Sequence, residues 1–543
     1  MKVYSRFVFA LLLVSIFACK SQQEFSQDRR DIKTDTPEVK DEEVPTRPLP
    51  DSPVLLQPLS FEMPEIPREF RGVWIATVVN IDWPESGTDS WSKQKEDFLA
   101  LLDHYKNLNF NAVIVQVRAA GDAFYPSRHA PWSRYLTGKE GIAPQTSENP
   151  LTWMIKAAHD RGLEFHAWLN PYRATFDDKT EILSQEHDFF QHPDWMLKYG
   201  TKYYYNPGLP EVKEKLLAVI KELVDGYDID AIHFDDYFYP YKVQNQRFPD
   251  QKTFEKYKKP GQTIEDWRRD NVNSLIQAIH QTVKTSKPWV QFGISPFGVW
   301  RNQDRDPRGS PTRAGQTNYD DLYADPLTWM QNGWIDYLIP QLYWSMDYEL
   351  ASYRKLNDWW AANSYQTNVY IGNGPYKIRD NADIAWDNPK EINNQVQYTR
   401  TLMEIQGNAF FSAKSLFSKN EDVANLLKQE LYDSPTLPPA FEPTEPVLIE
   451  TPQVLQVEAN RDWTKVSLEK PLDPAIRYAM VQGADELSML AEAEIHTVWV
   501  GGQRARGLEV SSLNTNYLAI RWIDHFGRIV QTQVFQTPKK TKP

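Results

Sequence analysis

The chain has 543 residues, 60 basic and 73 acidic side chains, and a formal net charge of −13. That length admits more than one domain. The acidic balance, with no basic patch interleaved with aromatics, excludes nucleic acid as an expected partner. Cys19 is the single cysteine, so there is no intramolecular disulfide, and no cysteine lies within the later, domain-like sequence.

Lys2 and Arg6 precede an apolar run over residues 7–18 that ends at Cys19. The run is short and terminal, as in a secretory leader. Ser15-Ile16-Phe17-Ala18-Cys19 resembles a bacterial lipobox. The resemblance implies cleavage before Cys19, lipidation of its thiol, and attachment to a membrane surface. Lys20 stands where an inner-membrane retention Asp would stand, so outer-membrane attachment is expected, with the facing side open. Residues 20–62 are polar, charged and proline-containing, which predicts a disordered tether.

From residue 63 to 433 short apolar runs alternate with longer amphipathic segments. Strands are expected over 71–77, 112–118, 163–170, 229–235, 292–296, 337–343, 369–373 and 409–414. Helices are expected over 90–107, 150–161, 210–227, 264–285, 349–363 and 389–405. Eight strands alternating with helices predict an α/β fold, a (β/α)8 TIM barrel with enlarged loops. An open doubly wound sheet is the alternative. No glycine-rich phosphate loop follows the first strand, which counts against its nucleotide-binding form. Residues 434–446 read as a linker. Residues 447–543 carry short alternating segments separated by turn residues, as in a small β-sandwich of fibronectin type III kind.

The stretch 228–240, DIDAIHFDDYFYP, is the centre of the functional reading. Alternate strand residues face opposite sides, so His233 and Asp235 share the face looking into the barrel. Asp236 starts the loop. By the same parity Gln116 and Arg118 share a face, as do His166, Trp168 and Asn170, which Tyr172 and Arg173 follow. Gln341, Tyr343 and Trp344 end the sixth strand, Asn373 the seventh and Lys414 the eighth. Tyr239 follows the Asp pair. Polar groups converging on the carboxyl ends of barrel strands predict an active-site bowl. An aromatic content of 13%, with 19 Trp, suits both a large core and stacking on sugar rings.

No Gly-x-Ser-x-Gly elbow and no His-Glu-x-x-His motif occurs. Two carboxylates among aromatics fit glycoside hydrolysis, with one as nucleophile or base and one as acid. Asp235 is the expected nucleophile, kept ionised by His233 or Arg118. The acid is left open among Asp347 and Glu349 after the sixth strand, and Asp236, Asp122 and Asp82. No cofactor is expected. Two other readings stay open: a non-catalytic glycan-binding lipoprotein, and a metal-dependent hydrolase or deacetylase using His166, His233 and Asp235.

Seven ordered motifs point further: EFRGVWIAT at 69–77, NIDWP at 80–84, VQVRAAGDAFY at 115–125, HAWLNPYR at 166–173, IHFDDYFYP at 232–240, GISPFGVWRN at 293–302 and PQLYW at 340–344. Together they resemble the glycosyl-hydrolase-like 10 family of bacterial lipoproteins, over residues 70–418. The resemblance implies a TIM barrel and glycosidase activity. One kind of member cleaves peptidoglycan glycan strands stripped of their peptide stems, so a polysaccharide is the implied partner. Similarity to barrel glycosidases with a strand-four Asp nucleophile supports Asp235. In some of those relatives the acid follows strand six, which favours Asp347.

Overall fold

The computed structural model describes residues 56–442, 446–460, 462–500, 505–511 and 513–537. The expected leader, its lipidation residue Cys19 and the tether up to residue 55 lie outside the described residues. Eight parallel strands close into a barrel: β1 (Phe70–Ile75), β2 (Ala112–Arg118), β3 (Glu164–Leu169), β4 (Ala231–Phe234), β5 (Gln291–Ile294), β6 (Tyr337–Leu338), β7 (Asn368–Asn373) and β8 (Ile405–Phe410). Each pairs with the next, and β8 returns to β1 with Gly407 opposite Phe70. Closure establishes the barrel and removes the open doubly wound sheet.

The strands read as apolar runs because both faces are buried. Val113, Val115, Phe165, Ala167, Ile232 and Phe234 point outward into the core shared with the helices. The helix Trp91–Asn107 shows how that shell forms. Ser90 caps it by accepting from the Lys93 amide, and Phe98, Leu101, Leu102 and Tyr105 turn one buried stripe inward. Two strands differ from expectation. Pro340 cannot donate to a ladder, so regular pairing of β6 stops at Leu338, and Gln341 continues only as single bridges to Phe297 and Gly372. The eighth strand begins at Ile405 rather than 409. Polar Asn408 disguised it, and its amide donates to Asn373 Oδ1 at 2.7 Å.

Inside the barrel, space is allotted by glycine. A Cβ on Gly293 would sit 1.9 Å from the Tyr337 ring. Its absence lets Tyr337 lie across the barrel axis, 5.5 Å from Tyr370, which stacks on Phe70 at 4.1 Å. At the base, Glu69 holds both Arg71 and Arg400 at 2.7 Å. At the top, Asp82 ties the first strand to the eighth, accepting from the Ala76 amide (2.8 Å), Ser412 Oγ (2.7 Å) and the Lys414 amide (2.9 Å).

After the barrel come β9 (Val454–Ala459), β10 (Trp463–Leu468), β11 (Ile476–Ala484), β12 (His496–Trp499), β13 (Gly507–Ser511), β14 (Tyr517–Asp524) and β15 (Ile529–Gln536). They form two antiparallel sheets, β9-β10-β13 and β12-β11-β14-β15. Val466, Val481, Ile520, Trp522 and Phe535 fill the space between them. Arg477 of β11 reaches the start of β4, where it pairs with Asp228 and with Asp230 at 2.9 Å. Trp499 stacks on His159 of the barrel at 4.0 Å.

The expected tether is corrected at its end. Residues 56–62 lie on the sandwich, where the Leu56 amide donates to Val454 O (3.1 Å) and the Leu59 amide to Val534 O (2.7 Å). Leu56, Leu59 and Phe61 pack against the sandwich cores. These apolar side chains are what the polar composition of the longer stretch concealed.

Candidate active site

A cavity of about 420 Å³ opens at the carboxyl ends of the barrel strands, with Asp235 and Asp236 in its wall. A larger cleft of about 600 Å³ lies at the opposite end, between barrel and sandwich, and holds neither residue. The smaller one holds the paired carboxyl groups. The ladder of β4 ends at Phe234, whose carbonyl accepts from the Ser295 amide at 2.8 Å. The next two side chains therefore leave the sheet at the mouth. Both are almost fully buried, at 4% and 2% exposure.

Burial disfavours a charged carboxylate. It pushes Asp235 up to about 8, helped by the neighbouring Asp236 and opposed by Arg173. It pushes Asp236 up to about 6, opposed by the Tyr241 hydroxyl and Arg173. Tyr241 donates to Asp236 Oδ2, and burial beside that carboxylate raises its own pKa. The two carboxyl groups thus differ in environment: one carries a dedicated hydroxyl donor, while Asp235 accepts from the Tyr237 amide at 3.2 Å.

Below the cavity a hydrogen-bonded chain fills the axis. The Trp74 indole N–H donates to His233 Nε2 at 3.2 Å. An indole nitrogen only donates, so the His233 proton sits on Nδ1 and goes to the Tyr337 hydroxyl at 3.0 Å. That hydroxyl donates to His166 Nδ1 at 2.9 Å, and His166 Nε2 donates to Glu164 at 3.1 Å. Burial holds the His233 pKa well down. Trp74 is fixed by this chain and lines the cavity.

Of the residues expected at the site, Gln116, Trp168, Asn170, Arg173, Asp235, Asp236, Gln341 and Tyr343 line the cavity. The others do not. Asp347 is 76% exposed and pairs with Arg354 at 3.2 Å; Glu349 pairs with Arg313 in the same way. Arg118 is turned away by a bulge. Gln116 pairs with Trp168 but Arg118 with outward-facing Leu169, so one extra residue reverses its face. It donates to the Asn170 carbonyl at 2.8 Å. His166 and His233 face Tyr337, so they do not assemble a metal triad with Asp235. Among the described residues no group of three or more His, Cys, Asp or Glu is placed to hold a metal.

Tyr172 packs in the outer core, and Tyr239 is buried against Phe248 and Tyr323. Trp344 packs edge-on to Phe297 at 5.5 Å. Asn373 has outward parity and donates to Gln395 Oε1 at 2.8 Å. Lys414 serves through its backbone amide on Asp82. Asp82 is thereby a structural clasp, and Asp122 accepts from the Ala120 amide at 3.1 Å.

Residues that were missed also line the cavity. Trp74 and Ser295 follow from strand parity applied to the first and fifth strands. Phe176, Lys202 and Tyr241 come from the long connections after β3 and β4, outside the barrel strands whose parity locates inward residues. Val79 also reaches the cavity, in a left-handed conformation at φ 53 that is costly for a β-branched residue. The adjacent Asn80 braces that turn, donating to Pro84 O (3.0 Å) and Tyr135 O (2.9 Å).

A closed parallel barrel with a buried carboxylate pair at its mouth defines a glycoside hydrolase-like protein. Comparison with known proteins narrows this. The chain belongs to the glycosyl hydrolase-like 10 family, whose model matches residues 69–388. It is 46% identical over 407 residues to "Glycosyl hydrolase YngK" of Bacillus subtilis, covering 74% of this chain and 79% of that one. It is 37% identical over 367 residues to "Glycosyl hydrolase DigH" of Escherichia coli K12, covering 63% and 83%. Among solved structures, the glycoside hydrolase domain of PgaB (BpsB) from Bordetella bronchiseptica shares 13% identity at a TM-score of 0.44, over 67% of this chain and 98% of that domain.

Proposed function

We propose that the protein is a membrane-anchored glycoside hydrolase that cleaves O-glycosidic bonds of a polysaccharide, with peptidoglycan glycan strands as the favoured substrate. The observation that carries this reading is the buried Asp235–Asp236 pair, whose pKa values lie near 8 and 6. Groups pushed apart in this way divide the acid and base roles. One carboxyl of the pair keeps its proton near neutral pH and protonates the leaving oxygen, while the other is ionised and acts as the nucleophile or base. The Tyr241 hydroxyl donates to Asp236 and favours its ionised form, which supports Asp236 in the anionic role and Asp235 as the acid, the reverse of the roles expected from sequence. The pair titrates as a unit, so kcat/KM follows a bell with limbs near pH 6 and 8. Asn170, Arg173, Gln341 and Tyr343 hold the sugar.

The lipobox at Cys19 supports anchoring at the outer membrane. Residues 20–55 then act as the tether, 63–433 as the catalytic domain, 434–446 as the linker and 447–543 as a fibronectin type III-like module. The two sheet orders support that last reading.

The test uses protein lacking residues 1–19. It is incubated with intact sacculi, amidase-stripped glycan strands and a panel of α- and β-glucans, and released reducing ends are counted. Release from stripped strands, reduced at least about a hundredfold by Asp235→Asn, is the expected result. Release from a glucan instead keeps the chemistry and moves the substrate. Binding without release in any arm overturns the enzyme and leaves a glycan-binding protein.

A further inference from the structure

Two cations in the cavity form no ion pair among the described residues. Arg173 follows β3, and Lys202 begins the second strand of a small hairpin in the long connection between β3 and β4, in which Met196–Tyr199 pairs with Lys202–Tyr205. Backbone bonds join the two segments. The Ala174 amide donates to Tyr203 O at 3.0 Å, and the Tyr205 amide to Tyr172 O at 2.9 Å. The segments are stitched as a ribbon, so Arg173 and Lys202 enter the same cavity wall.

Among the described residues, neither side chain forms an ion pair. The contrast with their neighbours is direct. Lys198 on the same hairpin pairs with Asp178 at 3.5 Å. Asp177, the acid acting on Lys202, is taken by Arg134 at 3.2 Å. Arg173 is 5% exposed, and its Nε–H is buried without a hydrogen-bond partner. Its guanidinium lies 4.2 Å from the Tyr237 ring centre, and the Lys202 ammonium 5.0 Å from that of Phe176. Burial and the charge of Arg173 both lower the Lys202 pKa. Asn170, in the same cavity, has its Nδ2 buried and unpartnered. Like charges in one cavity wall, with no carboxylate of the described residues in ion-pair contact with either, are unfavourable; an anionic group on the ligand relieves that cost. Arg173 also faces the Asp pair, but that role leaves Lys202 unexplained.

We propose that Lys202 and Arg173 form a carboxylate subsite that selects glycans carrying a free acid on the sugar. The inference rests on the glycosidase reading and specifies its substrate. A neutral glucan offers no such group. A strand bearing 3-O-lactyl ethers offers one per disaccharide, but only once the peptide amide has been removed. A uronate-containing glycan presents the same chemistry.

The experiment compares three ligands: amidase-stripped strands, the same strands with their carboxylates re-amidated, and a uronate oligosaccharide. Wild type, Lys202→Met and Lys202→Arg are each measured, with neutral chito-oligosaccharide as reference. The expected result is that Lys202→Met loses roughly tenfold more in kcat/KM on free-carboxylate strands than on the neutral reference, through KM, and that Lys202→Arg recovers most of it. Equal losses on both, or none, overturn the subsite. If wild type hydrolyses nothing, the glycosidase reading falls by itself, and equilibrium binding decides the subsite. Tighter binding of free than of re-amidated strands, or of the uronate, supports it, and equal binding overturns it.

Discussion

At the residue scale, the Asp pair trades stability for chemistry. Asp235 is held protonated by burial, with a pKa near 8 against about 4 in an unfolded chain. A raised carboxyl pKa means the unfolded state releases its proton first as pH rises. The native state is therefore penalised progressively between about pH 4 and pH 8. Asp235→Asn removes that penalty. The variant is expected to be inactive yet more stable than the parent at pH 8, by at least about 1 kcal/mol, with the gain vanishing near pH 4. Melting temperatures of both proteins across that range check this. Asp236→Asn is expected to remove the acidic limb of whatever activity remains, because the proposed mechanism makes Asp236 the ionised partner of the pair; a kcat/KM profile that keeps its acidic limb contradicts the role.

At the scale of elements, the site depends on how strands end and on what fills the barrel axis. The Val117 bulge keeps Gln116 facing inward and turns Arg118 outward, so the β2 end supplies an amide rather than a cation. Gly293 admits Tyr337, and Tyr337 joins His233 to His166. Gly293→Ala is expected to destabilise the barrel by about 1–3 kcal/mol through overpacking. It should also lower activity, because a displaced Tyr337 releases His233 and with it Trp74 in the cavity wall. Denaturant unfolding with parallel kinetics checks both. Full activity in a folded variant shows that the axial chain does not set the site.

At the scale of the whole molecule, the sandwich is bound to the barrel by charge as well as by packing. Asp230 is buried and takes Arg477 (2.9 Å) and His159 (2.9 Å), which hold its carboxyl well below the usual range despite burial. A depressed carboxyl pKa gives stability that is present above about pH 4 and lost as pH falls below it. Arg477→Met leaves Asp230 uncompensated and is expected to cost about 3–5 kcal/mol at neutral pH. It should also flatten the acid side of the stability profile. Urea unfolding from pH 7 to pH 3 checks it, and an unchanged profile removes the ion pair from the interface's energetics.

The barrel, the sandwich strands and the Asp pair were legible in the sequence. Their signals are local: apolar runs of strand length, a period of two, and carboxylates just after a strand. Parity placed Asp235, Asn170 and Gln341 correctly for the same reason. What that period does not carry came from long-range contacts in the folded chain. Folding reversed Arg118 through a bulge, set Asp347 on the surface, and turned His166 and His233 to Tyr337. It brought in Lys202 and Tyr241 from the connections after β3 and β4, and docked residues 56–62 on the sandwich. It also decided the surroundings of the two carboxyls, since burial, Arg173 and the Tyr241 hydroxyl meet only when the chain has closed.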